Sequence, residues 1–345
     1  MLPECYTPER IHNSYPVGAA DVMNGKSGES AAVGQPTTFQ EWRQRHYEIE
    51  RRYARQILET PKGSDERRHV FQRAYSDVIG NIIEVYDPGC GETKYTDTVV
   101  GIVKSLLSLS GKDAAKHATK IFDLGCGSGH LLVALAKDGY NVYGIDVSEA
   151  SIVEAKSDLS PFAKSDQVQN GDVLDYNPPT KFDIIVMDNV IEHLVPDETA
   201  DILAKCYEML SEKGNLVVLT PHSFSGPHDI SKYFLPFGSK AEGFHLKEFS
   251  FTDMDQSLRH AGFEEVWGFP FHPRLLGKYN VTPRPSEWAA RKSMMLEKVA
   301  QRGPLPKLLR LGHMSARMVT ALAFPAVAVG VKKTASKSVN SEFSM

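Results

Sequence analysis

The chain is poor in the features that mark a specialised partner. It has only four cysteines in 345 residues, Cys5, Cys90, Cys126 and Cys206, too far apart to form a metal-binding pair. Free thiols in a reducing, cytoplasmic setting are the expectation. Positive charge is not in excess, with 39 Lys and Arg against 43 Asp and Glu and a net charge of −4. That balance argues against a dedicated nucleic-acid surface. No apolar run approaches the about 20 residues that span a bilayer. The first residues carry Pro3, Glu4 and Glu9 and no apolar stretch, so no secretory leader is expected. The length suffices for one large domain or two small ones, with ample material for a core.

What is present is one strongly organised stretch. Ile121-Phe122-Asp123-Leu124-Gly125-Cys126-Gly127-Ser128-Gly129 is an apolar run ending in an acid and three alternating glycines. Leu131, Leu132, Leu135 and Ala136 follow at helical spacing. Asn141 to Asp146 is a second apolar run ending in an acid. This pattern predicts a βαβ unit with its glycine turn at the carboxyl end of the first strand, where open parallel sheets bind ligands. Glycines admit positive φ and close backbone approach. The helix start directs N–H groups at the ligand. Asp146 at the second strand tip suits a ribose diol.

A dinucleotide or S-adenosylmethionine fits such a turn. The dinucleotide fingerprint wants Gly or Ala where this chain has His130, and Asp123 would face a pyrophosphate badly. An acid there suits a cationic aminoacyl group. Asp123-x-Gly125-x-Gly127-x-Gly129 resembles motif I of the class I S-adenosylmethionine-dependent methyltransferases. The resemblance covers about residues 95–332. It implies an α/β, Rossmann-like, doubly wound seven-stranded sheet, mostly parallel with an antiparallel last strand, plus N-terminal helices and a helical insertion before that strand. It also implies cofactor contacts from Asp123, Gly125, Cys126, Gly127, Ser128, Gly129, Asp146 and Val147. Further contacts are implied from Asp172 and Val173 near adenine, and from Asp188 and Asn189. Taken alone, Asp172 reads equally well as a turn aspartate.

The rest of the chain divides around that core. Residues 1–37 are rich in Gly, Ser, Pro and Asn and read as a flexible arm. Residues 38–94 read as a helical cap, with helices near Phe39–Ile57 and Asp65–Tyr86. Arg43, Arg45, Arg51, Arg52 and Arg55 are matched by Glu41, Glu48, Glu50 and Glu59, the pattern of a solvated, ion-paired face. The methyltransferase domain is placed at 95–332, with Ile202–Leu210 a helix ended by Gly214 and Asn215–Pro221 a strand. The insertion 270–324 carries helical stretches near Ser286–Ala300 and Leu305–Leu322. The second is basic and amphipathic, fitting a packed lid or, at 305–322, peripheral membrane contact. Residues 333–345 read as a flexible tail.

Methyl transfer is an in-line displacement, and an oxygen nucleophile must also lose its proton. Asn189, Glu192 and His193 are three or four apart and share a face if the segment turns as a helix. The block Asn189-Val190-Ile191-Glu192-His193-Leu194, with the later His245, resembles ubiquinone-biosynthesis O-methyltransferases. It also resembles small-RNA 3′-terminal 2′-O-methyltransferases, which hold a divalent ion with Glu-x-x-Glu-His and a later His. Here the first Glu is Asn189, a weaker, neutral ligand. The expectation is therefore a catalytic set of His193, Glu192 and Asp188 without metal; Glu192, His193 and His245 would hold an ion if one binds. His222, His228 and His245 are the expected substrate contacts, with Asp229 and Glu248 beside them. The reading is an S-adenosylmethionine-dependent methyltransferase acting on an oxygen of a small-molecule, saccharide or lipid-like acceptor. Its rivals are an RNA 2′-O-methyltransferase and a cofactor-binding partner protein without turnover. Neither the acceptor nor the oligomeric state is readable from the sequence.

Overall fold

A computed structural model describes residues 39–83, 92–269, 284–302 and 327–332. The arm, residues 84–91, the tail and the 305–322 stretch all lie outside the described residues. Helices α1 (Phe39–Glu59), α2 (Asp65–Ile83) and α3 (Glu92–Leu109) precede the first strand. The core then runs β1 (Lys120–Leu124), α4 (His130–Lys137), β2 (Asn141–Asp146), α5 (Glu149–Leu159), β3 (Val168–Asn170) and β4 (Phe182–Asp188). It continues with α6 (Thr199–Met209), β5 (Leu210–Thr220), α7 (Phe251–His260), β6 (Glu265–Gly268), α8 (Glu287–Arg302) and β7 (Val327–Lys332). Helix α3 crosses the boundary expected at 94/95.

The strands form one sheet in the order β3-β2-β1-β4-β5-β7-β6. Strands β1 to β5 pair in parallel, and β7 lies antiparallel between β5 and β6. The central parallel strands β1 and β4 are buried on both faces, which explains their nearly continuous apolar sequences. Alternate residues serve the two faces. Phe122, Ile185, Met187 and Val218 join α6, α7 and α8 in one cluster; Ile121, Ile184, Val186 and Val217 join α3, α4 and α5 in the other. Full burial of each such side chain contributes about 1.5–3 kcal/mol.

Local signals set the ends. Ser148 caps α5 by accepting from the Ser151 N–H at 3.3 Å, and Ser250 and Asp253 form a reciprocal capping box at α7. The expected helix stop at Gly214 is corrected. Helix α6 ends at Met209 and β5 begins at once, because Leu210 already pairs with Phe182 and the strand then bulges through Lys213 at φ 61°.

The cap helices α1 and α2 pack together around Tyr53, Ile57, Val70, Ala74 and Val78, and enclose Val195 and Phe244 of the core. Arg67 of α2 clasps the segment after β4, donating to Asp197 at 2.8 Å and Glu198 at 3.0 Å. No helix among the described residues is long and apolar enough to cross a membrane.

Candidate functional site

The carboxyl ends of β1, β2 and β4 converge on a cavity of about 130 Å3. Its floor is Gly125, Asp146, Val147, Asp172 and Val173, with Val190 and His193 beyond. Gly125 and Cys126 both donate to the Ile145 carbonyl, at 2.8 and 3.1 Å, folding the glycine turn against β2. Gly125 has φ 75°, and a Cβ there would come within 2.5 Å of Val190. The Asp146 carboxylate accepts from the Gly127 N–H at 2.9 Å and the Ser148 N–H at 2.8 Å. It thereby ties the tip of β2 to the glycine turn. Burial pushes its pKa up and these backbone bonds pull it back.

Asp123 is 4% exposed, and burial together with the charges of Asp188 and Asp146 pushes its pKa well above the ordinary value. Three acids thus crowd one strand edge, a field that a bound cation relieves. Asp172 lines the cavity and also closes a turn by accepting the Leu174 N–H at 2.9 Å. Asp123, Cys126, Gly127, Ser128, Gly129, Asp188 and Asn189 do not line the cavity; Gly127 acts through its bond to Asp146.

The segment after β4 forms a short 3-10 turn, Ile191–His193. Asn189 stands outside it at φ 53°, with its amide donating to the Asp188 carboxylate at 2.9 Å. The shared helical face expected for Asn189, Glu192 and His193 is therefore corrected. Instead, ligand atoms of Glu192, His193 and His245 lie within 4.8 Å of one another. Glu192 is fully buried; one oxygen accepts from the Thr220 hydroxyl at 2.8 Å and Oε1 has no hydrogen-bond partner. Burial raises its pKa to about 7, against the opposing pull of the His245 charge and the Thr220 hydroxyl. His193 Nδ1 sits 3.0 Å from the Phe244 carbonyl oxygen. A carbonyl only accepts, so Nδ1 carries the proton and Nε2 presents a bare lone pair. Burial and the His245 charge lower the His193 pKa to about 3, keeping the ring neutral. His245 Nδ1 pairs with Glu248 at 2.9 Å. Burial opposes its charge, but the Glu248 hydrogen bond and the Glu192 and Asp229 charges outweigh that and raise its pKa.

This donor set suits a divalent ion. A lone buried carboxylate oxygen faces two imidazoles, each held at Nδ1 by an oxygen acceptor, which is how metal-ligating histidines are oriented.

Two expected substrate contacts are corrected. His222 is 2% exposed, and its Nε2 lies 2.8 Å from the Glu297 carboxylate, which docks α8 on the core. His228 Nε2 turns inward to the Ser225 hydroxyl at 2.9 Å and the His222 carbonyl at 3.1 Å. Neither lines the cavity. Sequence reading missed the opposite wall. Arg67, Arg68, Phe71, Gln72 and Tyr75 of α2 close the cavity. The arginines of α1 stay outside, with Arg51 3.4 Å from Glu242 and Arg43 over the Tyr233 ring.

A family profile described as a methyltransferase domain matches residues 122–216, from β1 into β5. The ubiquinone biosynthesis O-methyltransferase of Marinobacter nauticus is 30% identical over 185 residues, 48% of this chain and 71% of that protein. The chain belongs to the class I S-adenosylmethionine-dependent methyltransferases. The methyltransferase is also 28% identical to the chloroplastic magnesium protoporphyrin IX methyltransferase of Arabidopsis thaliana, over 47% of this chain and 52% of that one. It spans 43% of the Bradyrhizobium diazoefficiens ubiquinone biosynthesis O-methyltransferase at 31% identity. Among solved structures it aligns with the Synechocystis magnesium protoporphyrin IX methyltransferase with bound S-adenosylmethionine, at 18% identity and TM-score 0.44, covering 61% of this chain and 92% of that one. The methyltransferase's cofactor is S-adenosylmethionine.

Proposed function

We propose that this enzyme methylates a hydroxyl oxygen of a small, largely apolar acceptor. The observation that carries the reading is the neutral His193 ring lining the cavity, its Nδ1–H engaged by the Phe244 carbonyl, with a ligand atom of the buried Glu192 within 4.8 Å of its own. The acceptor hydroxyl donates to Nε2. As its oxygen attacks the methyl carbon, the carbon–oxygen bond forms, the carbon–sulfur bond breaks and the proton passes to Nε2. S-adenosylhomocysteine leaves. The ionised Glu192 carboxylate would have to offset the burial and His245 charge that hold the His193 ring neutral, which the neutral carboxyl would not do. Asp146 is assigned to the ribose hydroxyls, Asp172 and Val173 to adenine, and Asp123 to the aminoacyl end.

Val190, Leu194, Val195, Phe71 and Tyr75 give the cavity an apolar lining, which favours an aromatic or lipid-like acceptor over a sugar or RNA. The named activities of the ubiquinone and magnesium protoporphyrin relatives support the same class. The test is incubation with methyl-labelled S-adenosylmethionine and a panel of phenols, catechols, lipid alcohols, sugars and a short RNA. Labelled O-methyl product from the apolar hydroxyl compounds is expected; product only from sugar, RNA or an amine overturns the reading.

A second reading is favoured by the partnerless Oε1 of Glu192. Glu192, His193 and His245 would hold a divalent ion, which would lower the pKa of a bound acceptor hydroxyl. Calorimetric titration with Mn2+ tests it: one saturable site, lost in Glu192→Gln, supports the ion, and no heat removes it.

A further inference from the structure

We infer that Glu50, on the cap helix α1, is a positioning residue that sets which nitrogen of His193 carries the proton. The sequence offers Glu50 as one acid among many on a charged helix, but it is only 3% exposed. One of its oxygens accepts the Phe244 N–H at 2.8 Å, and the other lies 2.9 Å from His46 Nε2. Phe244 is the residue whose carbonyl receives the His193 Nδ1–H. The two bonds belong to one residue, so the α1 carboxylate and the His193 ring are linked through a single short piece of backbone.

Three further observations make this a built device. Asp229 accepts the Gly243 N–H at 2.9 Å and the His245 N–H at 3.4 Å, so two carboxylates hold three successive amides. Gly243 leaves room for both carboxylates, since a Cβ would stand 2.6 Å from an Asp229 oxygen and nearer still to Glu50 and would push them aside. The Phe244 ring is wedged among Phe71, Tyr75 and His193, with centroids 5.8, 6.1 and 5.2 Å away. Backbone position and ring position are therefore set together by the cap. Without the Glu50 bond the Gly243–Phe244 peptide is released and Phe244 can turn about its φ and ψ, leaving only the long 3.4 Å hold of Asp229 on the next peptide; the Phe244 carbonyl then leaves Nδ1, and the neutral ring can move its proton to Nε2.

The inference rests on His193 as the cavity's proton acceptor, and its test reads the ring rather than turnover, so the two ideas fail separately. The full chain, labelled with 15N-histidine, is compared with Glu50→Ala and Glu50→Gln by long-range proton–nitrogen spectra; His193→Gln assigns the His193 signal. The native chain is expected to carry the His193 proton on Nδ1. Glu50→Ala is expected to shift His193 toward the Nε2–H form. Glu50→Gln, whose amide oxygen still accepts from Phe244, is expected to keep the native pattern. S-adenosylmethionine affinity is expected to change less than about twofold in both Glu50 variants, since Glu50 touches no cofactor contact. If Glu50→Ala does not fold, Glu50→Asp withdraws the carboxylate by one methylene and carries the same expectation. A native protein already in the Nε2–H form, or a His193 proton that stays on Nδ1 when the Glu50 carboxylate is removed or withdrawn, overturns the inference.

Discussion

Replacing Glu192 with Gln should make the protein more stable in alkali while removing a step from its pH–activity profile. In the folded chain this carboxyl is wholly buried and ionises at about 7, against 4.5 ordinarily. The folded state then binds more protons than the unfolded state between those values. Stability must fall as pH rises from about 4.5 to 7, and by linkage the cost above pH 7 is about 3 kcal/mol. Gln carries no charge, so it escapes that cost. It also places an amide donor where Oε1 finds no partner, which subtracts a pH-independent amount of about 1–3 kcal/mol. The pH dependence of the difference is therefore the readout. Urea unfolding of both proteins from pH 4.5 to 8.5 should show Glu192→Gln gaining on the parent by about 3 kcal/mol across the range. Parent activity should rise through about pH 7, and the residual activity of the variant should lack that rise. A stability difference independent of pH would refute the buried, half-ionised carboxyl and the catalytic role built on it.

Asp146→Ala should weaken S-adenosylmethionine binding by about 1–3 kcal/mol, as charge-assisted bonds are lost; unchanged calorimetric affinity would contradict the ribose assignment. Binding of the cationic cofactor should lower the raised pKa of Asp123 and so favour proton release, seen as a binding heat that varies with buffer ionisation enthalpy and does so less in Asp123→Asn. Gly125→Ala should cost about 1–3 kcal/mol for backbone strain and block the cofactor through Val190, with Val190→Ala restoring part of the binding. His222→Gln should lower stability by about 1–3 kcal/mol through the buried Glu297 pair, yet leave the acceptor KM unchanged.

The βαβ unit was legible because its information is local. The glycines, the acids and the apolar periods lie within one short stretch, and backbone sterics force the turn they form. The Ser148 cap was legible for the same reason. The strand start at Leu210 was not, because pairing with Phe182 overrides the glycine as a helix stop. Glu50 and Tyr75 looked like ordinary helix residues; only the docking of the cap on Phe244 and the cavity gives them their places. The histidines divided the same way. His193 and His245 were read as a pair from the resemblance and do meet, with rings 4.8 Å apart. His222 and His228 had only a polar loop to recommend them, and the partner that engages His222 lies 75 residues away.

The methyl group is expected on a hydroxyl oxygen held beside His193 in the cavity. The most direct measurement is mass analysis of products from the chain, methyl-labelled S-adenosylmethionine and an apolar phenol or catechol. O-methyl product with matching S-adenosylhomocysteine, reduced by Glu192→Gln while cofactor affinity is kept, is the predicted result. Label found on nitrogen or carbon, or O-methyl product formed equally well by Glu192→Gln, would contradict it.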